Sequence, residues 1–133
     1  MIVLDTHVFL WWVAASAELP EKALGYIRRA KIKNAIYVSS ISIWETAMLV
    51  KSGRLVLSVP LAEWIRLVEE LPFVRFIPVD NAIAEHSVNL PGDFHKDPAD
   101  RIIVATSRIL NMPVVTKDEK ISHYPHVRSV WEI

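Results

Sequence analysis

Four acidic side chains stand where an acid is costly or where the chain gathers acids together. Asp5 interrupts the apolar opening "MIVLDTHVFLWW". A carboxylate buried without a partner takes up a proton or costs several kcal/mol. Asp118 follows the apolar "PVVT" with only Lys117 between. Over 41–51, Ile41, Trp44, Met48 and Leu49 recur at the spacing of a core-facing helical stripe, and Glu45 falls inside that stripe. Asp100 is the third residue of a helix opened by Pro98, one turn beyond Asp97.

Each acid taken alone has an ordinary explanation. Asp5, Asp97 and Asp118 all suit a helix N-cap, where a carboxylate accepts backbone N–H bonds. Glu45 suits a buried ion pair, although such pairs contribute little stability. Taken together they ask for more. Carboxylates brought side by side raise one another's pKa and need a compensating cation, and hard oxygen ligands suit Mg²⁺ or Mn²⁺. The expected metal set is Asp5, Glu45, Asp100 and Asp118, with Asp97 and Glu119 as alternatives within their pairs.

The elements that must position these acids follow from periodicity and punctuation. Short apolar runs at 2–4, 35–39, 73–79, 113–116 and 127–131 predict strands, the last at an edge. Helices are expected over 8–15, 21–30, 41–51, 61–71, 82–88 and from Pro98 to about 110. Alternating strands and helices imply an α/β domain with a mainly parallel sheet. Asp5 and Asp118 then sit just past the carboxyl ends of two strands, where such sheets carry their sites.

The chain has 133 residues, the size of one domain, and is read as a single unit over 1–133. Lys plus Arg and Asp plus Glu each number 15, so no global field draws in a polyanion and any such site is local. With no cysteine, disulfides and thiolate metal sites are excluded, which fits a reducing cytoplasm. Three glycines leave no Gly-rich phosphate loop. No segment is long and apolar enough to span a bilayer. "LWWVAASA" superficially suggests a signal sequence, but no Lys or Arg precedes it and Asp5 and His7 interrupt the run.

These residues resemble the motifs of PIN-domain nucleases, most nearly the VapC-like toxins of prokaryotic toxin–antitoxin pairs. "VLDTHVFLW", "SSISIWETA", "DPADRIIVATS" and "VVTKDEKI" are similar to that family's four motifs, in family order and over nearly the whole chain. The resemblance implies a PIN-like three-layer α/β/α fold and a metal-dependent endoribonuclease. It implies an acidic quartet carried by Asp5, Glu45, Asp100 and Asp118, with Thr6 and Thr116 at small hydroxyl positions beside them. It also implies an RNA substrate, a homodimer and a cognate antitoxin lying over the site.

Hydrolysis of a phosphodiester needs an activated water and positive charge on the phosphate. Lys96, Arg101 and Lys117 flank the acidic motifs and are candidates to hold substrate phosphates, beside an ordinary role as solvated charges. His7 and His95 read as hydrogen-bonded neighbours rather than ligands, because hard ions prefer oxygen. Trp11 and Trp12 are adjacent on one helix and do not both face one core, so one of them is expected at an interface.

A receiver-like phosphoacceptor domain is the alternative. It shares a parallel sheet and an Mg²⁺-binding acid cluster, but requires paired acids after the first strand and an aspartate after a mid-chain strand. A haloacid-dehalogenase-type phosphatase requires a second aspartate where His7 stands.

Overall fold

The computed structural model describes residues 1–131. In chain order it contains β1 (Ile2–Leu4), α1 (Thr6–Val13), α2 (Glu21–Ile32), β2 (Ile36–Ser39), α3 (Ile41–Lys51), α4 (Leu61–Glu69) and β3 (Val74–Ile77). There follow α5 (Asn81–Val88), α6 (Pro98–Leu110), β4 (Val114–Val115), α7 (Glu119–Ser122) and β5 (Ser129–Val130). The five strands form one sheet of order β3-β2-β1-β4-β5 in which every pairing is parallel.

Strand periodicity of two divides β1 between the faces of the sheet. Ile2 and Leu4 join Val8, Phe9, Ile27, Ile36, Val38, Trp64 and Val68, so α1, α2 and α4 cover one face. Val3 joins Ile103, Met112 and Val114 beneath α6 on the other. The result is the expected three-layer α/β/α arrangement. Phe9, Leu4, Ile27, Ile36 and Ile103 are fully enclosed, each contributing about 1.5–3 kcal/mol through removal from water.

The chain runs β1, β2, β3 outward on one side of β1, then crosses to place β4 on the other. The order of connections therefore reverses between β1 and β4. Leu4 is opposite Val115 in the register, so Asp5 and Thr116 emerge side by side at this reversal, where parallel sheets open a crevice.

Two sequence expectations need correction here. The first helix begins at Thr6, not Val8, because Asp5 caps it. The stripe drawn on α3 is also wrong: Trp44 and Met48 are 56% and 52% exposed, and the buried residues of this helix are Ser42 and Thr46. Small side chains let α3 pack closely on α1 and α6, and their hydroxyls are satisfied. Thr46 Oγ1 donates to Ser42 O at 2.7 Å, and Ser42 Oγ lies 2.8 Å from Thr6 Oγ1. The inward face is thus 42-46-49, and Glu45 sits on its margin, half-buried.

Candidate active site

Asp5 is buried and N-caps α1: its Oδ1 accepts from Thr6 N at 2.8 Å. Its Oδ2 accepts from Thr116 Oγ1 at 2.7 Å. Thr116 Oγ1 in turn accepts from Asp118 N at 3.0 Å, tying the end of β4 to the end of β1. Asp118 Oδ1 accepts from Ile121 N at 3.0 Å and starts α7, a four-residue helix too short to leave a periodic signature in the sequence. Thr6 Oγ1 donates to Glu45 Oε1 at 2.5 Å. The two threonines therefore join three of the four acids through hydroxyl and backbone donors.

Asp97 N-caps α6, its Oδ1 accepting from Asp100 N at 3.0 Å. Asp100 is free of that duty. Its Oδ2 lies 2.9 Å from His95 Nε2, an ion-pair distance. The ring nitrogen is buried and makes no directed hydrogen bond, so the two side chains are packed together without a well-aligned bond between them. His95 belongs to the site more closely than the sequence indicated. Only its place two residues before Asp97 pointed to it.

All four acids line one cleft of about 570 Å³, together with His7, Trp11, His95, Asp97, Lys117 and Lys120. Asp118 faces this cleft and Glu119 does not. Burial raises the pKa of Asp5, hydrogen bonds from Thr116 and Thr6 oppose that rise, and Asp118 adds to it. Burial also raises Glu45, against the Thr6 hydrogen bond and with help from Asp5 and Asp97. Asp100 is pushed up to about 7, first by burial and then by Asp5, Asp97, Asp118 and Glu45. Asp5, Glu45 and Asp100 are all raised, and no Lys or Arg is ion-paired to any of the four acids among the described residues, so the cleft lacks a compensating cation.

Among the described residues no three His, Asp or Glu groups already stand in a geometry that holds a metal ion. The hydrogen bonds above give the reason: Asp5, Asp118 and Glu45 are each turned toward a hydroxyl or a backbone N–H. The donor set itself, four hard carboxylates in one cleft, fits Mg²⁺ or Mn²⁺.

The phosphate candidates divide. Lys117 and the unforeseen Lys120 line the cleft. Lys117 also reaches Glu18 at 3.7 Å and lies 5.8 Å above the Trp11 ring. Lys96 is exposed beside Asp97 and is not part of the cleft wall. Arg101 does not line the cleft, and its guanidinium is engaged by backbone carbonyls. Its Nε donates to Ser87 O at 2.7 Å, its Nη1 to Phe94 O and His95 O at 3.0 and 3.2 Å, and its Nη2 to Val88 O at 3.2 Å. The guanidinium fork clamps the backbone between α5 and α6 and fixes His95. Of the tryptophan pair, Trp12 packs edge-on against Phe73 at 5.6 Å, while Trp11 turns to the cleft beside His7.

A five-stranded parallel sheet between helical layers, with acids gathered at the reversal of strand order, defines an α/β/α protein with an acidic rim site. A model of the PIN domain matches residues 2–127, and the chain belongs to the PIN-domain family. It is 34% identical over 129 residues to ribonuclease VapC22 of Mycobacterium tuberculosis, a match covering 97% of this chain and 95% of the relative. Solved structures share the fold. A toxin–antitoxin complex from Klebsiella pneumoniae aligns at TM-score 0.64 and 18% identity, over 98% of this chain and 96% of that one. DNA-bound VapBC from Salmonella typhimurium aligns at TM-score 0.69 and 17% identity, over 97% and 96%. The receiver-like alternative finds no support in the strand ends: β2 ends at Ser39, and Pro78 follows β3.

Proposed function

We propose that this chain is a metal-dependent endoribonuclease, the toxin of a VapBC-type pair, acting in the cytoplasm as a single domain. The observation that carries this is the convergence of Asp5, Glu45, Asp100 and Asp118 on one cleft, where burial and the other acids push Asp100 up to about 7. The identity to a ribonuclease over nearly the whole chain supports it.

The four acids would hold Mg²⁺ or Mn²⁺, which when bound supplies a water of lowered pKa and charge against the phosphate. The chain's own residues do the rest. Thr116 and Thr6 fix the carboxylates of Asp5 and Glu45, and Thr116 also anchors the Asp118 backbone. His95 holds Asp100 in line. Lys117 and Lys120 place positive charge on the cleft wall where RNA phosphates arrive.

An antitoxin partner is supported by an apolar groove between α1, α4 and the segment before α4, lined by Leu10, Val13, Val56, Leu57, Trp64 and Leu67. Val56 there is 89% exposed, a liability in a chain that lacks a partner. A homodimer is supported by a second patch around Trp44, Ile41, Pro78 and Val79.

Purified protein incubated with labelled RNAs and Mg²⁺ or Mn²⁺ should cleave internally, and excess EDTA should abolish cleavage. Full activity in EDTA overturns the metal dependence. No cleavage of any RNA with either ion overturns the nuclease.

A further inference from the structure

The chain is neutral overall, yet its charge is not evenly spread. Residues 22–44 contain five basic side chains, Lys22, Arg28, Arg29, Lys31 and Lys33, and no acid. All five lie on α2 or at its C-cap. At 3.6 residues per turn, Lys22, Tyr26, Arg29 and Lys33 fall in one stripe at i, i+4, i+7 and i+11. This stripe runs along a flank of the helix, beside the face that buries Ala23, Ile27 and Ala30. Lys31 is on the other flank, 4.6 Å from the Phe73 ring just before β3. The stripe therefore looks away from β3, toward the β4 side of the molecule that carries Lys117.

Its two ends are fixed by contacts. Lys117 is a wall of the acidic cleft and reaches back to Glu18 at 3.7 Å, which places the chain just ahead of α2 at the rim of the site. Ile2 N donates to Ala35 O at 3.2 Å, which places the end of α2 beside the start of β1, at the opposite edge of the sheet. The stripe thus descends from the cleft rim over about 16 Å, the rise of eleven helical residues. Lys22, Arg29 and Lys33 are exposed. No acid pairs with them among the described residues, whereas Arg28 is taken by Glu21 at 2.8 Å. The Arg29 guanidinium lies 4.8 Å above the Tyr26 ring, a cation–π contact that sets charge beside an aromatic face.

An acidic cleft repels a polyanion, and a neutral molecule offers no compensating long-range field. A basic track leading away from that cleft supplies the missing attraction. We propose that the Lys22–Tyr26–Arg29–Lys33 stripe is a docking surface for the backbone of single-stranded RNA outside the cleavage cleft. This rests on the ribonuclease reading, and it concerns affinity for the flanking strand, not chemistry.

The test measures binding and cleavage separately. Fluorescein-labelled mixed-sequence RNA is used at two lengths, about five nucleotides, confined to the cleft, and about thirty, long enough to leave it. The triple variant Lys22→Gln, Arg29→Gln, Lys33→Gln is compared with a control of equal charge loss elsewhere, Lys51→Gln, Arg54→Gln, Arg66→Gln, after circular dichroism establishes that both fold. The stripe variant should bind the long RNA about tenfold more weakly, with the slope of log affinity against log salt shallower by about 2, the value for three lost phosphate contacts on a single strand. Its affinity for the short RNA should match wild type. Unchanged long-RNA affinity, or an equal loss in the control, overturns the stripe while leaving the nuclease standing. Binding of both RNAs by wild type without cleavage in Mg²⁺ or Mn²⁺ sends the nuclease reading to the wider RNA panel above, and the stripe is still decided by the affinities. No binding of either RNA by wild type overturns both. If the stripe variant does not fold, Lys22→Gln and Lys33→Gln singly should each reduce the slope by about 0.7.

Discussion

Thr6 Oγ1 lies 2.5 Å from Glu45 Oε1 and 2.8 Å from Ser42 Oγ, so one hydroxyl stands between the first turn of α1 and two residues of α3. Its single proton goes to the carboxylate, and Ser42 therefore donates to Thr6. The backbone N–H of the same residue donates to Asp5. Thr6 is in this way the joint that sets Asp5 and Glu45 relative to each other. Thr6→Val keeps the shape and the β-branch but removes the joint. It should lower cleavage by about 10–100-fold, the usual loss when a group supporting metal ligands is removed, and cost about 1–3 kcal/mol for the unpaired buried oxygens. Thr6→Ser should retain most of both. Cleavage assays beside thermal melts check this; wild-type activity in Thr6→Val excludes the positioning role.

Asp97 and Asp100 are one helical turn apart but differently engaged. Asp97 accepts from the Asp100 N–H at the start of α6, while Asp100 faces His95 and the other acids. Asp97→Asn still caps and should leave most of the cleavage rate, at a stability cost below about 1 kcal/mol. Asp100→Asn should reduce cleavage by orders of magnitude and weaken Mn²⁺ binding by calorimetry. The reverse pattern exchanges their roles. Equal, severe losses from both place Asp97 in the metal site as well.

Much of this site was legible because its acids follow local rules. Asp5 and Asp118 cap helices just past strand ends, and Asp97-Pro98 announces the start of α6, so sequence spacing alone put three acids on the rim. Glu45 was placed on the inward side of α3 for the wrong reason. Apolar periodicity pointed to Trp44 and Met48, but small hydroxyl residues at 42 and 46 pack inward instead, because they allow close helix approach and find partners across it. Long-range pairing was invisible. Nothing near Arg101 in the sequence says that four carbonyls from 87, 88, 94 and 95 surround its guanidinium. A cation beside an acidic motif suggests phosphate binding, whereas in the structure its guanidinium is engaged by the end of α5 and the loop before α6.

Arg101 accordingly predicts a stability phenotype rather than a substrate phenotype. Arg101→Ala leaves Ser87 O, Val88 O, Phe94 O and His95 O without their donor. It should destabilise the protein by about 2–4 kcal/mol, since bonds to a charged donor are worth more than neutral ones and part of the site stays buried. Arg101→Lys should recover little, because a single ammonium does not reproduce the fork. Denaturant melts give the stability. Where enough folded protein remains, the Michaelis constant for RNA should stay near wild type. A raised Michaelis constant with unchanged stability restores the phosphate role.

The raised pKa of Asp100 makes stability fall as pH rises. Its folded value is about 7 against the ordinary 3.8 of an aspartate. Between those two values the folded protein binds more protons than the unfolded chain, and stability declines across that window. Below it the carboxyl is protonated in both states and contributes nothing; above it the full penalty of an ionised, crowded carboxylate is present. Burial and repulsion at Asp5 and Glu45 act in the same direction. Discounted for partial solvent screening, the Asp100 contribution is on the order of 1–3 kcal/mol, several degrees in melting temperature for a chain of this size. Melts in EDTA from about pH 4.5 to 8 should therefore show wild type losing stability relative to Asp100→Asn as pH rises, with the difference levelling above about pH 7. Glu45→Gln should likewise be as stable as wild type or more so at pH 8 without metal, yet inactive. Mg²⁺ should narrow the gap between wild type and both variants, because only wild type keeps the full set of charges to bind it. Parallel melting curves for wild type and Asp100→Asn across the whole range would show that Asp100 carries no burdened charge, and that the acids of the cleft are satisfied without a cation.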